Sequence, residues 1–184
     1  MRCFLAVPVP EPVRHDIEGL LRRLHPRLPA ARFVSTDVLH LTLHFFADLS
    51  PDQADLVRAA AREGCAVTPA FDVALAGLGV FPDPRRPRVL WIGVRTGMAG
   101  LAGLHEAIGR GLRQRGIPIE DRPFRAHLTL ARLGPPEPAL VGVLEEGASV
   151  GPPPFHVDDV ALVQSVLQPS GAVHTILDRF PLEG

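Results

Sequence analysis

The tetrapeptide His-Leu-Thr-Leu occurs twice in this chain of 184 residues, at His40 to Leu43 and again at His127 to Leu130. Side chains in an extended strand alternate between faces, so each copy places a histidine and a threonine on one face and two leucines on the other. The leucine face suits packing. The opposite face carries an imidazole, able to act as acid or base near neutral pH, and a hydroxyl that can donate or accept a hydrogen bond. A single His-x-Thr strand is ordinarily a hydrogen-bonded packing feature. Repeating the polar pair, where valine or isoleucine would serve packing as well, argues for two imidazoles and two hydroxyls around one small ligand. One neutral imidazole can take a proton from water while an imidazolium gives one to a leaving oxygen. The hydroxyls of Thr42 and Thr129 can steady charge that builds on a phosphoryl oxygen, which makes a phosphate ester the natural ligand.

Strict alternation puts Arg125 on the face of His127 and Thr129, where its guanidinium can clamp phosphate. Arg132 falls on the other face unless the strand bulges. His44 continues the face of His40 and Thr42, as a ligand contact or a rim residue. Phe45, Phe46, Phe81 and Phe124 lie beside these elements, and one of them, such as Phe45, can stack on a base while the others pack the core. The loop Arg85-Arg86-Pro87-Arg88 suits a nucleic-acid backbone or plain solvent equally. A rival reading gathers His40, His44 and His127 around zinc, but the motif strands bring threonines where a zinc site would bring a carboxylate or thiolate. No metal and no cofactor is therefore expected. His15, His25, His105, His156 and His174 fall outside the repeat and read as ordinary helix, loop or strand residues.

Composition narrows the classes further. A net charge of −1 offers no global attraction to nucleic acid, so any RNA contact must rest on a local patch. All 19 basic residues are arginine, which removes lysine Schiff bases, lysyl-nucleotide intermediates and the Walker loop. Cys3 and Cys65 have no metal spacing and suit a reducing compartment. The N-terminal apolar run is too short and proline-rich for a signal peptide, and no stretch is long enough to span a membrane. A cytoplasmic, monomeric protein with no membrane partner is the expectation.

These residues must be held by a scaffold, and the periodicity outlines one. Strands are expected at Arg2 to Val9, Arg32 to Val34, Val38 to Phe46, Phe71 to Leu78, Arg88 to Val94, Phe124 to Leu133, Phe155 to Leu167 and Val173 to Phe180. Helices are expected at Pro12 to Leu24, from a Ser50 cap to Gly64, from Leu101 to near Gly116, and at Pro138 to Glu146 after the Gly134-Pro135-Pro136 break. The order strand, helix, motif strand recurs, and the motifs lie 87 positions apart, nearly half the chain. An internal duplication follows: an α+β fold over residues 1–184, one domain with two lobes related by a rough two-fold and motif strands facing across a cleft.

At these motifs the chain resembles the two-histidine phosphoesterase superfamily, and more narrowly the RNA 2',3'-cyclic phosphodiesterase family, also called the 2'-5' RNA ligase or LigT family. The stretches Arg2 to Ala6, Gly79 to Pro82, Arg85 to Trp91, Arg122 to Arg125 and Gly171 to Val173 share that family's pattern. The resemblance implies a bilobal α+β fold with two antiparallel sheets flanked by helices around a cleft. It also implies hydrolysis of an RNA 2',3'-cyclic phosphate end to a 2'-phosphate, with reversible 2'-5' joining of tRNA halves. By position, His40 would be the proton donor, His127 the proton acceptor, and Thr42 and Thr129 the phosphate holders. Ala126, His44 and Phe46-Ala47 depart from the family pattern, where proline, a basic residue and Leu-Gly are common. A phosphodiesterase of small cyclic nucleotides and a non-catalytic RNA-end-binding module are the alternatives.

Overall fold

The computed structural model describes residues 1–135, 137–169 and 171–183; Pro136 of the expected proline break lies outside them. Among the described residues there are nine strands, β1 (Cys3–Pro8), β2 (Arg32–Phe33), β3 (His40–Phe46), β4 (Phe71–Phe81), β5 (Val89–Thr96), β6 (His127–Arg132), β7 (Phe155–Val157), β8 (Asp159–Gln168) and β9 (Gly171–Pro181), with four α-helices set between them. The helices are α1 (Glu11–Leu24), α2 (Pro51–Ala66), α3 (Met98–Gln114) and α4 (Leu140–Glu146). The strands form a curled antiparallel path in the order β7-β4-β5-β6-β3-β1-β8-β9, with β2 attached to β6.

The two expected sheets are the two halves of this path. One lobe is β3-β1-β8-β9 and the other is β6-β5-β4-β7. The motif strands, expected to face each other across a cleft, instead lie side by side at the centre, joined through Leu41 opposite Leu128. Both leucines are fully buried. Each such burial contributes roughly 1.5–3 kcal/mol, so the apolar backs of the motifs weld the lobes together while their polar fronts stay free.

The strand that starts at Phe71 runs on to Phe81 rather than stopping at Leu78, because Gly79, Val80 and Phe81 pair with Trp91, Leu90 and Val89. The last long run breaks at Asp158 into β7 and β8, which serve different lobes. Helix α2 begins as its sequence dictates, with the Ser50 side chain accepting from the Gln53 amide and the Gln53 side chain accepting from the Ser50 amide. It does not stop at Gly64. Gly64 is a packing glycine, since a Cβ there would lie 2.7 Å from Ile108 Cγ1 and 2.8 Å from the Ile108 backbone nitrogen in α3. The α2 and α3 pair approach closely at that point, with Gly111 of α3 set against Ala60.

Gly64→Ala should therefore force α2 and α3 apart and cost about 1–3 kcal/mol in urea unfolding. A midpoint equal to wild type would show that the helices move aside freely.

Candidate active site

Strand β3 presents His40 and Thr42 half-buried on the front of the sheet, and β6 does the same with His127 and Thr129. Each imidazole is fixed by the backbone two residues upstream. His40 Nδ1–H donates to the Val38 carbonyl at 2.7 Å, and His127 Nδ1–H donates to the Arg125 carbonyl at 2.7 Å. A carbonyl oxygen can only accept, so both rings carry hydrogen on Nδ1 and leave Nε2 for a ligand. The two rings are close enough that charge on His127 helps lower the pKa of His40.

Both motif strands bulge at the same place. Opposite β1, Ala6 pairs with Thr42 and Leu5 with His44, so Leu43 is the extra residue. Opposite β5, Trp91 pairs with Thr129 and Leu90 with Ala131, so Leu130 is the extra residue. A bulge reverses alternation beyond it, which corrects the expectation for His44 and realises the bulged alternative for Arg132. His44 leaves the front: it is 5% exposed, donates Nε2–H to the His105 carbonyl at 2.9 Å and stacks on the His105 ring at 4.3 Å. Arg132 arrives on the front, in the row of Val89 and opposite Arg32 of β2. Arg125 precedes β6, so strand alternation does not govern it, and it serves His127 through its carbonyl. Phe45 takes the front position in β3 that Arg132 takes in β6, 44% exposed with the Arg2 guanidinium 4.9 Å above its ring.

With His44 turned into the core, the three histidines weighed as zinc ligands do not converge. Among the described residues no group of three or more His, Cys, Asp or Glu side chains is arranged to hold a metal. The basic loop after β4 is shaped by Asp83, whose Oδ1 accepts from the amides of Arg85 and Arg86 at 2.8 and 3.2 Å.

Aromatic rings surround both imidazoles. Phe4 stacks on His40 with centroids 4.3 Å apart, and His174 meets both edgewise, at 5.0 Å from Phe4 and 5.5 Å from His40. Phe81 meets His127 edgewise at 4.8 Å, and Trp91 stands 6.4 Å away. Sequence reading missed Phe4, Trp91 and His174 as site residues. His174 could have been found by pairing β8 with β9, since it lies two residues before Ile176 and opposite Ser165. His105 is also more than a helix residue, because its ring lies between His44 and Phe124.

Burial pushes the His40 pKa down to about 4; nearby His174 and His127 push the same way and the hydrogen bond to Val38 opposes. At neutral pH its ring is thus uncharged, with an Nε2 lone pair toward the front. Burial lowers His44 to about 4 as well, and lowers His105 and His174.

The matching family model is the 2'-5' RNA ligase superfamily, over residues 9–168. A relative from Archaeoglobus fulgidus named RNA 2',3'-cyclic phosphodiesterase is 30% identical across 98% of this chain and 99% of its own. A solved Thermus thermophilus protein superposes with a TM-score of 0.82 and 29% identity, covering 100% of this chain and 99% of that one. E. coli LigT complexed with 3'-AMP superposes with a TM-score of 0.78 and 27% identity, covering 98% and 97%. Fold and site together define a duplicated α+β protein built on paired His-x-Thr strands. The chain belongs to the 2'-5' RNA ligase superfamily.

The lowered histidines make stability depend on pH. Unfolded, these imidazoles bind protons near pH 6.5, whereas folded His40 and His44 do so only near 4. Between those values the unfolded chain holds more protons, so stability is full above about pH 6.5 and falls as pH drops toward 4. In His44→Asn the urea midpoint should vary less steeply with pH across that window, and an unchanged slope would remove His44 from the account.

Proposed function

We propose that the chain hydrolyses the 2',3'-cyclic phosphate at an RNA 3' end to a 2'-phosphate, by metal-independent acid–base catalysis with His40 and His127. The carrying observation is the pair of imidazoles on adjoining strands, each locked through Nδ1 to a backbone carbonyl and offering Nε2 to the same face beside a threonine. The names of the relatives support the same reaction. His127 Nε2 takes a proton from water, the water oxygen bonds to phosphorus, the bond from phosphorus to O3' breaks, and His40 delivers a proton to O3'. The Thr42 and Thr129 hydroxyls donate to the phosphoryl oxygens. Arg132, turned to the front by the β6 bulge, adds a cation for the phosphate. Residues 1–184 act as one two-lobed domain, and with the 5'-hydroxyl of a second RNA in place of water the same displacement, itself reversible, would join tRNA halves through a 2'-5' linkage.

The donor role requires a proton that His40 does not hold alone at neutral pH. A bound phosphate anion next to the ring favours the imidazolium and supplies that proton affinity. The His40 ring signal, followed by NMR against pH, should titrate near 4 in the free protein and at least about one unit higher with a nucleoside 2'-phosphate bound. An unmoved titration would pass the donor role to His127.

Activity gives the direct test. With chelator present, wild type should convert a short RNA ending in a 2',3'-cyclic phosphate to the 2'-phosphate. His40→Ala and His127→Ala should each lose roughly 10²–10⁴-fold in rate. Turnover by both variants at the wild-type rate would overturn the mechanism, and turnover abolished by chelator would overturn its metal independence.

A further inference from the structure

The two carbonyls that orient the motif histidines are held in different ways. Val38, which serves His40, ends a 3-10 turn at Thr36–Val38, in which the Val38 amide donates to the Ser35 carbonyl at 3.2 Å and the Leu39 amide to the Thr36 carbonyl at 3.3 Å. Arg125, which serves His127, lies in the irregular connection from α3 to β6. Among the described residues no backbone-to-backbone hydrogen bond holds residues 118–125. Side chains hold this connection instead. Ile117 and Ile119 pack its start into the core, and near its end Phe124 stacks on the His105 ring of α3, with centroids 4.3 Å apart and planes 17° apart. The other face of His105 lies on His44, again at 4.3 Å and with planes 15° apart. His44 is a firm support, because it is buried, donates Nε2–H to the His105 carbonyl and sits over α3 where a Cβ on Gly109 would stand 3.4 Å from its Cε1. Three rings thus lead from the first motif strand, through α3, to the residue next to Arg125.

We propose that His105 is a positioning residue for His127: its ring, packed between His44 and Phe124, keeps the Arg125 carbonyl where it accepts from His127 Nδ1–H and so leaves His127 Nε2 free to take the proton from water. The proposal rests on the phosphodiesterase reading above and deepens it. Which nitrogen of an imidazole carries hydrogen is set by the bond that the other nitrogen makes. When the stack is lost, the Arg125 carbonyl is no longer held and the His127 ring is free to carry its hydrogen on Nε2, where it cannot act as a base. His105 itself touches no substrate, because the bulge in β3 turns His44, and the stack built on it, away from the front. His40 is independent of the stack, since its own carbonyl belongs to a turn closed by backbone bonds.

The test uses the full chain with its histidine ring nitrogens isotopically labelled, followed by NMR at about pH 8, above the ordinary imidazole range, so that the shifts report which nitrogen carries hydrogen. Spectra of His40→Ala and His127→Ala identify the two motif signals. His105→Leu keeps an apolar side chain of similar volume but has no flat face. In it His127 should gain a form with hydrogen on Nε2 while His40 stays in the Nδ1–H form. On an RNA ending in a 2',3'-cyclic phosphate, kcat should fall roughly 10–100-fold with KM unchanged, as expected when a base is misplaced and substrate contacts are kept. His105→Phe, which keeps a ring between the same neighbours, should restore both the His127 signal and kcat. Phe124→Leu should match His105→Leu, and the double variant should lose no more than either single, because both break one stack. A wild-type His127 signal in His105→Leu would overturn the proposal, as would a loss in His105→Phe as large as in His105→Leu. A change at His40 equal to that at His127 would mean a general loosening of the fold and would overturn it too. If His105→Leu fails to fold, Phe124→Leu decides by the same two signals. Should wild type leave the RNA unchanged, the phosphodiesterase reading falls by itself, and the ring spectra still decide the positioning role.

Discussion

The contact of Leu41 with Leu128 governs the geometry of the front. It joins two antiparallel half-sheets through the apolar backs of the two motifs, so the polar side chains of both strands must emerge on the same surface. A sheet side chain cannot change faces without a bulge or a register slip. Burying one leucine pair therefore fixes which way two imidazoles and two hydroxyls point, and the upstream carbonyls of Val38 and Arg125 fix which nitrogen each ring presents.

The bulges at Leu43 and Leu130 add a second layer of control. They let each motif strand use both faces in turn: histidine and threonine forward, then two successive residues back, then one forward again. In β3 the sequence spends this device on burying His44 against His105 and exposing Phe45. In β6 the same geometry buries Ala131 and sends Arg132 forward. The two motif strands thus share one bulge position, and a single residue differs at the step beyond it, Phe45 in β3 and Arg132 in β6. A second difference lies one strand further out, where Trp91 covers Gly79 in one lobe and Ala6 lies beside Ala161 in the other.

Electrostatics follows from this packing. Rings from Phe4 and His174 strip water from His40, which keeps it uncharged at neutral pH.

The sequence by itself determined the chemical inventory and most of the elements. The repeated His-Leu-Thr-Leu named His40, Thr42, His127 and Thr129 because a two-residue period is a local property of any strand, and the Ser50 to Gln53 capping box marked the start of α2 because capping is local too. The α+β duplication was legible in the spacing of the motifs. Tertiary structure alone decided that the motif strands lie edge to edge, that Gly64 serves helix packing and not a helix end, and that Arg132 rather than His44 shares the face of the motif histidines and threonines. Each of these depends on a partner far away in sequence. A bulge exists only relative to the opposing strand, and the neighbourhood of His174, Phe4 and His40 exists only once β9 has folded back across β8 and β1 to complete a lobe begun at the other end of the chain.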